Sequence, residues 1–138
     1  MQQCGPAGEL SRRDGAAAVL AAEKGDTQAV VAWLDEGGGV DARCKELFGG
    51  TLLMKAAEEG QAAMVRVLLQ RGASVNQQDN YGGTALMAAA LHGHIAIVQA
   101  LFDAKADASL QATNGRTALM GAEHAKRTAI AQLLRHHT

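Results

Sequence analysis

The fold of this 138-residue chain is decided by residues 82–94, which read GGTALMAAALHGH. The same pattern occurs 33 residues earlier, where residues 49–61 read GGTLLMKAAEEGQ, and 33 residues later, where residues 115–127 read GRTALMGAEHAKR. At six positions of the repeat the residue is identical in all three copies. In the first copy these residues are Gly49, Thr51, Leu53, Met54, Ala56 and Leu68. Identity in one register at a fixed period indicates a tandem repeat rather than a bias in composition.

An earlier copy of the repeat becomes visible when the step is lengthened to 35 residues. Gly25 then aligns with Gly60, and the two extra residues fall between Val40 and Gly49. We expect residues 1–10 to be a disordered leader before a single array that spans residues 11–138. The sequence predicts four tandem units, at about residues 11–45, 46–78, 79–111 and 112–138.

Each unit has the pattern of a helix, a tight turn and a second helix. Thr51, Thr84 and Thr117 stand where a helix N-cap is needed, because their hydroxyls can accept a hydrogen bond from the first turn. Gly60 and Gly93 follow where a left-handed backbone would end the helix. Helices this short are marginal alone, so stability must come from the stacking of neighbouring units. The predicted first helices span residues 51–59, 84–92 and 117–125, and the second helices span residues 62–71, 95–104 and 127–136.

The period and these motifs resemble the ankyrin repeat. Residues 82–94 follow the first-helix pattern of that family closely, and residues 65–76 match its second helix and exit. The resemblance implies an all-α repeat solenoid, a stack of helix-turn-helix units joined by β-hairpin finger loops. It also implies that a partner protein lies in the concave groove, against the finger tips and the exposed side of the first helices. The residues of this chain at those positions are Leu47, Phe48, Glu58, Glu59, Asn80, Tyr81, Leu91, His92, Asn114, Arg116 and His124.

Two departures from the family pattern lead to further expectations. The usual histidine of the first helix is replaced by Met54, Met87 and Met120, which we expect to pack between units. Lys105 and Lys126 stand where other units have glycine. A left-handed backbone at Lys105 would cost on the order of 1 kcal/mol.

The composition argues against several classes of protein. A net charge of −1 argues against a dedicated nucleic-acid or membrane binder, which usually carries an excess of basic residues. No apolar run approaches the length of about 18 residues that a membrane span needs. We interpret the only two cysteines, Cys4 and Cys44, as reduced thiols of a cytoplasmic or nuclear protein.

No group of residues predicts catalysis or a cofactor. The run of glycines at 37–39 lacks the lysine of a phosphate-binding loop. Glu58 and Glu59 are adjacent and diverge on a helix, so they do not form a general acid–base pair. We expect His136 and His137 to be solvated, with a weak metal site as the alternative. The sequence therefore predicts a protein that is not an enzyme and needs neither cofactor nor metal.

Two of the four aromatic residues, Phe48 and Tyr81, fall at equivalent finger tips. Leu91 lies further inward, on the predicted first helix of residues 84–92. Rigid aromatic side chains are favoured anchors at protein interfaces. The alternative is that the two rings pack against each other and bind nothing. Charge is also graded, because residues 35–59 hold six acids against three bases, whereas the final unit holds four bases against Glu123 alone. This gradient is either an ordinary solvated surface or complementary to an elongated partner.

The leading hypothesis is a monomeric protein–protein interaction module whose partner is another protein, with no nucleic acid and no membrane. A narrower form of it is a stand-alone inhibitor, similar to the small ankyrin proteins that block cyclin-dependent kinases. The alternative is a regulatory or targeting domain of a larger enzyme or channel. The resemblance also implies that Asn76 is open to hydroxylation, because it matches the asparagine that ankyrin-like repeats present to an oxygenase.

Overall fold

This computed structural model describes the backbone of residues 9–137 and the side chains of residues 17–45 and 47–137. Their helices pair into four helix–turn–helix units. The predicted leader lies outside the described residues apart from Glu9 and Leu10, which begin the first helix. The helices are α1 (Glu9–Lys24), α2 (Thr27–Asp35), α3 (Leu52–Glu59), α4 (Ala62–Gln70), α5 (Ala85–His92), α6 (Ile95–Asp103), α7 (Ala118–His124) and α8 (Thr128–His136).

Threonine caps begin the first helices of the last three units, as the sequence predicts. The hydroxyl oxygens of Thr51, Thr84 and Thr117 accept hydrogen bonds from backbone N–H groups three residues on, at 3.4, 3.2 and 3.3 Å. The carboxylate of Asp26 caps α2 in the same way and accepts from the N–H of Ala29 at 3.2 Å. The ends of α3 to α8 agree with the predicted boundaries to within one residue.

Two layers of helices make up the stack. α1, α3, α5 and α7 pack side by side in one layer, and each packs against its own second helix, α2, α4, α6 or α8. Ala56 and Ala89 are completely buried in the first layer, where side chains this small let helix backbones lie close together. Leu68, Leu101 and Leu134 of the second layer are also completely buried and belong to the apolar core.

A row of side chains at the helix–helix turns links each unit to the one before it. Gln61, His94 and Arg127 each donate a hydrogen bond to a backbone carbonyl near the end of the preceding first helix. The acceptors are the carbonyl oxygens of Glu23, Glu58 and Leu91, at 3.0, 3.1 and 3.1 Å. We call this row of three donors the turn ladder.

The turn ladder explains why the turns beneath it contain glycine. Gly25, Gly60 and Gly93 have φ angles of 77°, 77° and 81°, in the left-handed region that favours glycine. A Cβ atom at these positions would lie 2.4, 2.7 and 2.9 Å from the turn-ladder side chain of the next unit. Glycine is therefore favoured at these turns by the backbone conformation, and a side chain there would also displace the turn-ladder residue of the next unit.

Lys105 and Lys126 both adopt a left-handed backbone conformation. The φ angles are 72° at Lys105 and 61° at Lys126. Lys105 therefore has the left-handed backbone considered from the sequence, and Lys126 shares it, at a cost of about 1 kcal/mol each. Lys126 is equivalent to Gly93, but no further turn-ladder residue covers it within the described part of the chain, so its side chain has room.

The three methionines of the first helices are covered to different degrees. Met54 is 8 % exposed and Met87 is half-buried, as expected for residues between units. The expectation is wrong for Met120, which is 48 % exposed. The reason is that α7 is the last helix of its layer among the described residues, so no further helix covers this side chain.

The finger loops are tight turns. A backbone hydrogen bond across the base closes each of them, and further backbone hydrogen bonds lie within each turn. Among residues 9–137 no extended strand forms beyond the isolated bridge between Cys44 and Gly50. The closing bonds run from the N–H groups of Cys44, Asp79 and Ala112 to the carbonyls of Gly50, Gly83 and Arg116, at 2.8, 2.9 and 2.8 Å. The hairpin character of the fingers is therefore confined to these closing pairs.

The state of Cys44 differs from the interpretation of the sequence. Cys44 is buried and disulfide-bonded, so its interpretation as a reduced thiol is wrong. The other cysteine of the sequence, Cys4, lies outside the described residues. Because disulfides persist mainly in oxidising compartments, Cys44 no longer supports the predicted cytoplasmic or nuclear location.

The histidines at the end of α8 are both exposed, as expected. His137 nevertheless makes a contact that the sequence did not predict: its ring stacks on Phe102, with centroids 4.0 Å apart and an interplanar angle of 11°. The described residues contain no group of three or more side chains suited to hold a metal ion.

Candidate partner-binding groove

A groove lies between the first two fingers on one side and α3 and α5 on the other, with a volume of about 420 Å³. Its walls combine apolar side chains with a few charged ones. The lining residues are Leu47, Phe48, Gly50, Met54, Lys55, Glu58, Asp79, Gly83, Thr84, Met87, Ala88, Leu91 and His92. The groove therefore brings together five of the predicted partner-binding residues: Leu47, Phe48, Glu58, Leu91 and His92.

Two aromatic rings from neighbouring fingers meet beside this groove. Phe48 contacts Tyr81 edge to face, with ring centroids 5.8 Å apart and an interplanar angle of 62°. The rings therefore do pack against each other, as the alternative interpretation of the sequence expects. Each residue is still 61 % exposed, so their contact leaves most of the aromatic surface in solvent.

The backbone of Phe48 is strained. Its φ of 54° lies in the left-handed region, which costs a residue with a Cβ about 1–2 kcal/mol. Phe48 is the C-terminal cap of the short 3₁₀ turn Lys45–Leu47 in the first finger. The carbonyl of Phe48 then accepts a hydrogen bond from the N–H of Asn80 at 2.9 Å. Strain that places a large apolar side chain in solvent is typical of a functional position.

Lys55 lies on the helical wall of the groove among three carboxylates. Its Nζ atom is 3.2 Å from Glu59, 3.4 Å from Glu23 and 3.7 Å from Glu58. The lysine side chain is 14 % exposed, whereas those of Glu59, Glu23 and Glu58 are 36 %, 43 % and 44 % exposed. We call these four residues the Lys55 cluster. Sequence reasoning missed Lys55, although its spacing of three and four residues from Glu58 and Glu59 is typical of ion pairs on a helix.

Opposing effects act on the pKa of Lys55. Partial burial lowers it, because desolvation disfavours the charged form. The hydrogen bond with Glu59 and the charges of Glu58, Glu59 and Glu23 outweigh the burial and raise the pKa of Lys55 above its ordinary value. The cluster therefore combines one firmly protonated lysine with three carboxylates and has a formal charge of −2.

Several of the predicted residues lie outside the groove lining. The Asn80 side chain packs over Gly49, where a Cβ atom would lie 2.4 Å from its Oδ1 atom. Asn114 accepts a hydrogen bond from the N–H of Arg116 at 3.1 Å and so shapes the third finger. Arg116 and His124 are exposed in the fourth unit.

Asn76 also connects two units. Its Oδ1 atom accepts a hydrogen bond from the backbone N–H of Asp107 at 2.8 Å. Asp41 makes the equivalent contact one unit earlier, where its carboxylate accepts from the N–H of Ser74 at 2.7 Å. Asn76 is exposed, and its hydroxylation stays a prediction.

Comparison with protein families identifies the repeat. Residues 18–112 match the family model described as ankyrin repeats, in three copies. The chain belongs to the ankyrin-repeat family. The fourth ankyrin unit lies beyond the matched residues, but the N-terminus of α7 is capped by threonine as in α3 and α5. A comparison with curated proteins gave no significant match.

Ankyrin repeats are generally protein–protein interaction modules and are typically not enzymes. The membership therefore supports the general prediction of an interaction protein without naming a partner. Within the described residues, no helix combines the length and the apolar character that crossing a bilayer requires.

Proposed function

We propose that this ankyrin array is a non-catalytic module that binds a partner protein in the groove between its first two fingers and α3 and α5. The observation that carries the proposal is the position of Phe48. Its side chain is held in solvent by a strained backbone, at the edge of a groove with an apolar lining. A finger needs no such aromatic residue in order to close, because the third finger closes without one.

The apolar part of the proposed interface consists of Phe48, Tyr81 and Leu91, which are 61 %, 61 % and 41 % exposed. Burying large apolar side chains of this kind supplies much of the binding energy at protein interfaces. The exposed residues Asn80, Asn114, Arg116 and His124 continue the same side of the array and would form the rim. The monomeric state and the cytoplasmic or nuclear compartment stay predictions.

Binding by this surface can be tested with the triple variant Phe48→Ser, Tyr81→Ser, Leu91→Ala. A matched control is Leu20→Ala, Ile95→Ala, which removes two exposed apolar side chains outside the groove lining, at 49 % and 40 % exposure. Quantitative pull-down from cells should recover partners with the parent and the control but not with the triple variant. Recovery of every partner by a folded triple variant would show that the groove is not the binding surface.

A single variant separates binding from stability. Phe48→Gly removes the aromatic ring and also relieves the left-handed strain. Relief of the strain, about 1 kcal/mol, offsets the loss of the edge-to-face contact with Tyr81, which contributes about 1 kcal/mol. We therefore expect the free energy of unfolding to change little and partner binding to be lost. Loss of binding in a protein of unchanged stability cannot be attributed to unfolding.

A further inference from the structure

We propose that the groove takes a polypeptide segment that presents a lysine or arginine to the Lys55 cluster and a large apolar side chain to Phe48 and Leu91. This inference rests on the proposed function and adds the chemistry of the partner. The occupant is a cationic segment of a protein, because the charged wall of the groove favours a positive group and the apolar wall favours a large apolar side chain next to it.

The charged wall presents carboxylates to an incoming partner. Glu23, Glu58 and Glu59 are more than a third exposed, whereas the lysine that they surround is 14 % exposed. Three carboxylates against one amine give the Lys55 cluster a formal charge of −2; Lys55 and Glu58 line the groove, whereas Glu23 and Glu59 lie beside Lys55 outside the lining. The carboxylate of Asp79 is also in the lining, where its Oδ1 accepts hydrogen bonds from the N–H groups of Tyr81 and Gly83. Lys55 is the only lysine or arginine in that lining, since Lys24 and Lys45 are exposed outside it.

The carboxylates have capacity for a second cation. A carboxylate offers about four acceptor sites on its two oxygens, and an ammonium group has three donors. The single Nζ of Lys55, shared among three carboxylates at 3.2–3.7 Å, therefore cannot fill their acceptor sites. A guanidinium or ammonium group from the partner would take up further acceptor sites in place of water and would reduce the formal charge of the cluster from −2 to −1.

The apolar wall lies within the same cavity as the charged wall. Leu47, Phe48, Met54, Met87 and Leu91 line it together with Glu58, so one segment can reach both. A volume of about 420 Å³ accommodates a few side chains of the partner, as a short segment of polypeptide would supply. The negative charge disfavours a nucleic acid or an anionic membrane as the occupant, because like charges repel.

The probes for the test are fluorescein-labelled short peptides with one fixed leucine or phenylalanine. In three matched sets the flanking positions are filled with lysine and arginine, with glutamine and serine, or with aspartate and glutamate. Fluorescence anisotropy with the full chain should show binding by the lysine and arginine set at least about tenfold tighter than by the other two. This binding should weaken when NaCl is raised from about 0.05 M to about 0.5 M, because salt screens exposed charges.

Variants connect the preference to the cluster. Glu58→Gln, Glu59→Gln should weaken binding of the cationic peptides about tenfold. Glu36→Gln, Asp103→Asn makes the same change in net charge at exposed positions outside the groove lining and should leave binding unchanged. Lys55→Met removes the intramolecular competitor and should tighten binding of the cationic peptides. If the double glutamine variant does not fold, Glu23→Gln alone is expected to weaken binding in the same direction.

The outcomes separate this inference from the proposed function. Equal binding of the cationic and neutral sets, unchanged binding by the double glutamine variant, or no binding by any peptide would overturn the cationic partner. If peptide binding is independent of charge but is lost in Phe48→Ser, Tyr81→Ser, Leu91→Ala, the groove is still the binding surface and only the preference for a cationic segment is contradicted. If that triple variant binds all peptides as the parent does and also retains its partners in pull-down, the proposed function falls as well.

Discussion

The imidazole of His94 donates a hydrogen bond from Nε2 to the carbonyl oxygen of Glu58 in the preceding unit, at 3.1 Å. The same ring lies over Gly60, where a Cβ atom would be 2.7 Å from its Cε1 atom. This arrangement recurs along the turn ladder, with Gln61 over Gly25 and Arg127 over Gly93. Each unit is therefore fastened to its neighbour at the end of the first helix, which also fixes the position of the groove wall.

The turn ladder predicts that identical glycine substitutions have unequal effects. Gly60→Ala should lower the free energy of unfolding by more than Gly115→Ala, although φ is similar, at 77° and 83°. The reason is that a Cβ at Gly60 would collide with His94, whereas nothing lies within 4 Å of one at Gly115. Gly115→Ala should cost about 1–2 kcal/mol for the backbone alone, as measured by urea unfolding.

Removing the ring supplies the control for that comparison. His94→Ala should itself cost about 1 kcal/mol, because one hydrogen bond is lost. In the His94→Ala background the extra cost of Gly60→Ala over Gly115→Ala should disappear. Equal losses for the two glycine variants in the parent protein would contradict the packing role of His94.

The left-handed lysines predict stabilising substitutions. Lys105→Gly and Lys126→Gly should each raise the free energy of unfolding by about 1 kcal/mol, because glycine adopts φ angles of 72° and 61° without a steric penalty. Lys24→Gly is the matched control, since Lys24 lies in the last turn of α1 and glycine there should cost about 1 kcal/mol. If the midpoint temperature of thermal unfolding changes in the same direction for all three variants, backbone strain at Lys105 and Lys126 is contradicted.

The core of the second layer predicts a large and extended loss of stability. Leu101→Ala should cost about 2–5 kcal/mol, because the completely buried side chain leaves a cavity. Hydrogen exchange should rise in α4 and α8 as well as in α6, since neighbouring units stabilise one another. Leu91→Ala, at a 41 % exposed position, should cost no more than about 0.5 kcal/mol. An effect confined to α6 would contradict coupling between the units.

The Lys55 cluster predicts a pH-dependent contribution to stability. Because the folded pKa of Lys55 is raised, its stabilisation is complete below the ordinary lysine pKa of 10.5 and disappears as pH rises through the folded value. Lys55→Met should therefore be about 1 kcal/mol less stable than the parent at neutral pH. Urea unfolding at several pH values should show this gap shrinking above pH 10.5. A gap that is constant with pH would mean that Lys55 acts only by packing.

The helices could be predicted from the sequence because their signals are local. Thr51 and its equivalents cap helices whatever packs around them, and Gly60 ends α3 through its own backbone conformation. The groove was predicted from the family resemblance, and Leu47, Phe48, Glu58, Leu91 and His92 do line it. These features depend on a few adjacent residues or on a register that repeats.

The remaining features depend on how the units fit together in space. Lys55 pairs with Glu58 and Glu59 on its own helix, but its contact with Glu23 exists only because α1 packs against α3. The left-handed φ of Phe48 belongs to the 3₁₀ turn of the first finger, which has no counterpart in the other two fingers. Met120 follows the pattern of Met54 and is exposed only because no further helix covers it in the described chain.

The central claim is that a partner touches the aromatic pair beside the groove. Photo-cross-linking tests it most directly, with benzoylphenylalanine placed at Tyr81 and, as the control, at Leu20, which is exposed outside the groove lining. Irradiation in cells should give a covalent protein adduct from position 81 and none from position 20. An adduct from position 20 with none from position 81, in protein that is folded in both cases, would contradict the account.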